Sequence, residues 1–158
     1  MCYSGFREGQ TPGVSYPTYD QVKEDLLIIE QNWTFIRLYS CDHHSKTVLE
    51  VIKKEKLNIK VMLGCYIEAE INNYSCPWGG EHSKEQLELN KKGNLNRANL
   101  LSELANSYPK IIFSLSVGNE ACVSWTDHMV PVVLLSVHLP MDKNNYSSLL
   151  QCNNQALL

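Results

Sequence analysis

Four short apolar runs divide this chain, and the spacing of hydrophobic positions changes each time one of them ends. Met1-Cys2-Tyr3-Ser4, Thr34-Phe35-Ile36-Arg37-Leu38-Tyr39-Ser40, Asn58-Ile59-Lys60-Val61-Met62-Leu63-Gly64 and Ile111-Ile112-Phe113-Ser114-Leu115-Ser116-Val117 are rich in β-branched and aromatic residues. Each stops at a glycine or a polar exit, so each predicts a strand. Between them the apolar residues recur at helical spacing. Thr18 is placed to cap a helix over Val22, Leu26 and Ile29, with Asp20 and Glu24 toward the positive end of its dipole. Ser45 is read as the cap of a second helix over Val48, Leu49 and Ile52, whose Lys53, Lys54 and Lys56 suit a carboxyl-terminal end. Ser83 opens a long third helix, clearest at Leu101, Leu104, Ala105 and Tyr108, which Pro109 stops. Strand and helix alternate three times before a closing strand. That order predicts the α/β class, with about four parallel strands built from βα units.

Right-handed crossovers place the strand exits on one edge of such a sheet. Tyr3, Arg7, Tyr39, Asp42, Tyr66 and Glu120 would then share an aromatic and charged rim. Aromatic faces stack on the C–H faces of sugar rings, while carboxylates, amides and guanidinium groups bond the hydroxyls. Glu120 is the focus of that rim. A carboxylate at the mouth of a packed strand is expected to lose water around its charged form, which raises its pKa toward that of a general acid. Asn119 beside it can donate its amide to a ligand. Taken one at a time these residues have plainer roles: a glutamate can cap a helix or pair on the surface, and a strand-end tyrosine can keep its hydroxyl in water. Four exits repeating one pattern weigh against that.

Composition narrows the partners. With 14 basic and 17 acidic residues the net charge is −3, so no polyanion-binding footprint is present and nucleic acid is not expected. No apolar run approaches the roughly 20 residues a bilayer-crossing helix takes, and no basic and apolar leader opens the chain. A soluble chain without a membrane partner, cytoplasmic by default, is the expectation. The six cysteines form no CxxC pair and read as reduced core thiols. Three glycosylation sequons, beginning at Asn32, Asn73 and Asn145, carry little weight without a secreted context.

Taken in series, Cys2-Tyr3-Ser4-Gly5, Ile36-Arg37-Leu38-Tyr39-Ser40, Ile59-Lys60-Val61-Met62-Leu63-Gly64 and Ser116-Val117-Gly118-Asn119-Glu120-Ala121 resemble the first half of glycoside hydrolase family 17. The family comprises β-1,3-glucanases and related transglycosylases, and its bacterial branch shares the Trp125-Thr126-Asp127-His128-Met129-Val130-Pro131 loop. The resemblance implies a (β/α)8 TIM-type barrel that acts on β-linked glucans with retention. It implies Glu120 as general acid/base and Asn119 as the residue that steadies it and touches the sugar. Tyr39 is implied in the cleft, and Tyr3 and Arg37, more loosely, near the site. Tyr66, on the third exit, joins them as a substrate-binding candidate on the rim pattern alone. The reaction takes no cofactor. A β-glucan or its oligosaccharide is the implied partner.

The chain departs from that pattern in two ways. A barrel takes roughly 250 residues, and this chain has 158. Retaining chemistry also needs a second carboxylate roughly 5 Å from the first, which the family supplies from a later strand. Glu68 and Glu70 are weak substitutes. Residues 1–131 are therefore expected to form an amino-terminal half barrel, with 132–158 an off-pattern tail and the open edges prone to self-association. The function expected is a retaining O-glycosyl hydrolase on β-1,3-glucan-like chains lacking its nucleophile. A transglycosylase with the same residues and an inactive carbohydrate-binding remnant are the alternatives. Cys41, His43, His44, Cys65, Cys76 and His82 lack the tight ligand pairs of a zinc site, so no metal is expected. Cys122 with His128 is a weaker case still for a nucleophilic pair.

Overall fold

A computed structural model describes residues 1–130; residues 131–158, and with them the expected tail, lie outside the described residues. The described elements run α1 (Tyr19–Glu30), β1 (Phe35–Leu38), α2 (His43–Glu55), β2 (Lys60–Cys65), α3 (Lys84–Ser107) and β3 (Ile112–Val117). The three strands are parallel in the order β1-β2-β3 and form an open sheet. The expected first strand is reduced to one bridge. Cys2 pairs with Arg37 through Arg37 N to Met1 O at 2.8 Å and Tyr3 N to Arg37 O at 3.1 Å. Gly5, at φ +63°, then turns the chain away before a second rung forms. The described sheet is thus three strands plus one bridge, where about four strands of a half barrel were expected.

Helix caps explain where the helices begin. Thr18 Oγ1 accepts from Gln21 N and the Gln21 side chain accepts from Thr18 N at 2.9 Å, a reciprocal capping box. In α2 the cap is Asp42 and not Ser45: Asp42 Oδ1 accepts from Ser45 N at 3.1 Å, while the Ser45 hydroxyl donates to Ser40 O at 2.6 Å. An aspartate three residues earlier holds the Ser45 amide, so the helix starts sooner than a Ser45 cap would set it and takes in His43 and His44. Ser83 caps α3 as predicted.

One face of the sheet is packed. Ile36, Leu38, Val61, Leu63 and Ile112 are buried against Val22 and Leu26 of α1, Val48, Leu49 and Ile52 of α2, and Leu101 of α3. The alternate positions Phe35, Arg37, Lys60 and Met62 belong to the other face and are exposed or half-buried. A register shift at Val61/Met62 keeps Phe113 on that open side, where its ring meets Phe35 edge-on at 5.0 Å.

The first half of α3 buries asparagines where an amphipathic helix would bury leucine. Asn90 Nδ2 donates to Ala69 O at 2.8 Å, and Asn94 exchanges two bonds with the Glu68 backbone at 2.8 and 3.0 Å. These bonds fasten the long 66–82 excursion to the helix and satisfy backbone groups that no strand partner reaches. No described helix is long and apolar enough to cross a membrane.

Candidate functional site

β3 ends at Val117, and the chain turns through Gly118 at φ +75° and Glu120 at φ +56°. A left-handed Gly is ordinary; a left-handed Glu is strained and is the kind of backbone found at functional positions. Three further contacts hold the turn. His128 Nε2 donates to Asn119 O at 2.9 Å, Thr126 Oγ1 donates to Glu120 O at 3.2 Å, and Gly118 N donates to Cys65 O at 2.8 Å. Glu120 itself is exposed, so the desolvation expected of it is not supplied by the described residues. The strain on residue 120 replaces burial as the unusual feature of this position.

Arg37 joins β1 to this turn. Its Nη2 donates to Asn119 Oδ1 at 3.2 Å, which leaves the Asn119 amide nitrogen to serve a ligand. The guanidinium lies 4.7 Å from the centre of the Tyr39 ring, a cation-π contact that fixes both side chains. Hydrogen bonding with the Cys2 thiol raises the Tyr39 pKa, partial burial adds to this, and the charge of Glu120 pushes the same way.

On the other flank, His128 is wedged between three groups. Its ring lies 5.2 Å from the Tyr66 ring, and its Nδ1 is 2.8 Å from Asp127 Oδ1. Because carbonyl and carboxylate oxygens only accept, the ring donates at both contacts, from Nε2 to Asn119 O and from Nδ1 to Asp127 Oδ1. Asp127, bonded to this imidazole, is held below the usual carboxylate range. Burial, then the charges of Asp127 and Glu68, raise the Tyr66 pKa.

Two hollows of about 290 Å³ each flank Tyr66. One is polar, with Glu68, His82, Gln86, Asn90, Asp127 and His128 around it. The other is mostly apolar, between Tyr3, Phe6, Leu38, Tyr39 and the start of α2.

The fold matches part of a laminarinase. An endo-laminarinase from Formosa Hel1_33_131 superposes with a TM-score of 0.68 and 23% identity, covering 87% of this chain and 35% of that one. The likeness establishes the fold and not the chemistry, and this chain spans about a third of the laminarinase's length. No protein-family model and no curated protein sequence matches the chain.

Of the residues expected at the rim, the structure brings Arg37, Tyr39, Asn119 and Glu120 into one cluster and connects Tyr66 to it through His128. It removes others. Tyr3 is buried and its hydroxyl donates to Asp25 Oδ2 at 2.9 Å, so only its ring reaches the apolar hollow. Arg7 turns back to α1, with Nη2 2.5 Å from Asp25 Oδ1, and Asp42 is spent on capping α2. Tyr3 and Arg7 are withdrawn by Asp25 on α1, and Asp42 by the amide of the helix it caps.

His128 and the tryptophans were overlooked as site residues. Trp78 and Trp125, from two different exit loops, meet edge-on at 6.1 Å and stay well exposed, an aromatic ledge of the kind that sugars stack on. The signal available was the Trp125-Thr126-Asp127-His128 run, whose imidazole sits close enough in sequence to fold back on residue 119. Asn73, one of the sequon asparagines, is buried with its amide donating to Ser124 O and Thr126 O at 2.8 and 2.7 Å. It ties the excursion to the post-β3 loop and is not free to carry a glycan.

Proposed function

We propose that this chain is the acid/base-bearing part of a retaining O-glycosyl hydrolase of the family 17 type, binding β-1,3-linked glucan across the strand exits. The observation that carries the reading is the joining of Asn119, the residue before Glu120, to Arg37 and through it to Tyr39 at the carboxyl end of a laminarinase-like sheet. In this reading Glu120 protonates the leaving glycosidic oxygen and Asn119 donates its amide to a sugar hydroxyl. Arg37 orients Asn119, and Tyr39 and Tyr66 present their rings to the sugar faces.

Turnover by such chemistry needs a second carboxylate. The neighbouring candidates are engaged elsewhere: Glu68 pairs with Arg97 at 3.1 Å, Glu70 accepts from Asn94 at 2.9 Å, and Asp127 bonds His128. That observation favours a second reading for the chain alone, glucan binding without hydrolysis. A transglycosylase would use the same residues and differ in its products, which would include chains longer than the substrate.

The test is calorimetric titration with laminaripentaose, alongside reducing-sugar release. Binding that weakens at least tenfold in Tyr39→Ala and in Asn119→Ala supports the proposal. No binding, or binding indifferent to both substitutions, overturns it. Sugar release that disappears in Glu120→Gln removes the binding-only reading.

A further inference from the structure

Two buried thiols stand beneath the strand exits, and nothing in the site above uses their sulfur atoms. Cys65 is the last residue of β2, and Cys41 follows β1 by three residues. They are 1% and 3% exposed and belong to one core cluster. The backbone brings them together. Leu38 pairs with Leu63 in the parallel register, and a Cβ on Gly64 would collide with Leu38 O and with the Tyr39 carbonyl. Because residue 64 has no side chain, the exit of β1 lies directly against the end of β2, and the two thiols hydrogen-bond to one another.

The environment gives the two sulfurs different roles. The bond from Cys65 lowers the Cys41 pKa against the opposing effect of burial, while the same bond and then burial raise that of Cys65. The more readily ionised thiol is the better nucleophile, so Cys41 attacks and Cys65 resolves. Neither sulfur is open to solvent in the folded chain, so an outside reagent meets Cys41 in the unfolded or opened chain, and the reaction is completed as β1 packs on β2. A metal ion is a poorer fit, since no three His, Cys, Asp or Glu side chains among the described residues gather to hold one.

We propose that Cys41 and Cys65 are a disulfide-forming pair, oxidised by exchange with a small-molecule disulfide of the glutathione type, and that their bond locks the exits of β1 and β2 together. The Cys41 thiolate attacks one sulfur of glutathione disulfide and displaces one glutathione thiolate. Cys65 then loses its proton and attacks the Cys41 sulfur, displacing the second. Two cysteine thiols are oxidised to one disulfide, and one glutathione disulfide is reduced to two glutathione thiols. The ring so closed contains all of α2, which takes conformational freedom from the unfolded chain. It also fastens the supports of the exit cluster: Tyr39 precedes Cys41 by two residues, Tyr66 follows Cys65, and Cys65 O accepts from Gly118 N at 2.8 Å. The proposal does not depend on the glucan reading.

The experiment equilibrates the full chain in glutathione redox buffers of graded ratio, once in native buffer and once in denaturing urea. Samples are quenched with acid, alkylated and mapped by non-reducing peptide mass spectrometry. Expected are a Cys41–Cys65 cross-link as the main disulfide in native buffer and an equilibrium constant against glutathione at least tenfold larger there than in urea. Because a bond favoured by the fold favours the fold in return, the oxidised chain should also have a higher urea midpoint than the reduced chain, a gain lost in Cys41→Ser and in Cys65→Ser. If the serine variants fail to fold, the map and the two equilibrium constants of the parent decide alone. No Cys41–Cys65 cross-link at the most oxidising ratio overturns the proposal, as does a main cross-link between other cysteines or one formed equally well in urea. Either result leaves the glucan reading as it was.

Discussion

The two faces of the sheet obey opposite rules. Toward the helices, Leu38, Val61 and Leu63 are at most 1% exposed, and every alternate strand position contributes to one continuous core. On the other face Phe35 and Phe113 remain about half exposed, and the polar and aromatic side chains Arg37 and Tyr39 lead upward to the exit cluster. The first face explains why the chain folds. The second holds groups that its own described residues do not cover, and the candidate site is at its upper edge. Stability and recognition are therefore separable here, and substitutions on the two faces should differ in kind.

The largest effect is expected on the helix side. Leu63→Ala removes a fully buried side chain from the middle strand and should cost about 2–5 kcal/mol in urea denaturation. Phe113→Ala, on the open side, loses one edge-on ring contact and part of its burial, and should cost less than about 1.5 kcal/mol. Equal costs would break the contrast, since they would mean that the open face is covered in solution.

Next comes the turn after β3. Gly118→Ala meets two obstacles, φ at +75° and a new Cβ 2.7 Å from Ala121 Cβ. A loss of about 1–3 kcal/mol is expected, together with weakened laminaripentaose binding because Asn119 and Glu120 move with the turn. Unchanged melting with unchanged binding would mean that the turn is softer than its hydrogen bonds imply.

His44 gives a smaller, pH-dependent effect. Its folded-state pKa is depressed by burial, opposed by Asp42 and Asp25 and assisted by His43, so the unfolded chain binds this proton more readily. Stability from a neutral His44 is present above its unfolded value, about 6.5, and is lost as pH falls below it. His44→Phe should flatten stability over that acid limb, measured as urea midpoints from pH 7 to pH 5. A slope identical to the parent's would assign the limb to other groups.

Much of this was legible in the sequence, for a physical reason. Period and caps are local signals, so β2, β3, the cap at Thr18 and the start of α3 at Ser83 follow from residues within a few positions of one another. The failures came from competition over longer distances. Tyr3 and Arg7 were read as rim residues because their strand position allows it, and Asp25 on α1 claims both. Ser45 lost its capping role to Asp42, and the first strand shrank to a bridge at Gly5. Glu120 and Asn119 followed from the strand exit, but Arg37, which bonds Asn119 across 82 positions, was reached only through a family resemblance. His128 was named only as part of the 125–131 loop, although it lies close enough in sequence to fold back on Asn119 and brace it.

The smallest effect, opposite in sign to the others, is at residue 120. A side chain at φ +56° bears a left-handed penalty of about 1–2 kcal/mol, partly offset on substitution because glycine gives up about 0.5–1 kcal/mol of extra chain entropy. Glu120→Gly should therefore leave stability unchanged or raise it by at most about 1 kcal/mol, while Glu120→Ala, which keeps the strain, should not stabilise. Neither variant loses a packed contact, because the side chain is exposed. Thermal melts of the two variants against the parent read the difference directly. A gain confined to the glycine variant means that strain at 120 is maintained against the chain's own stability, as expected of a residue kept for what it does to a ligand. A loss in both would mean that the glutamate side chain contributes to the fold, and the separation between the packed face and the exit cluster would fail at its most exposed residue.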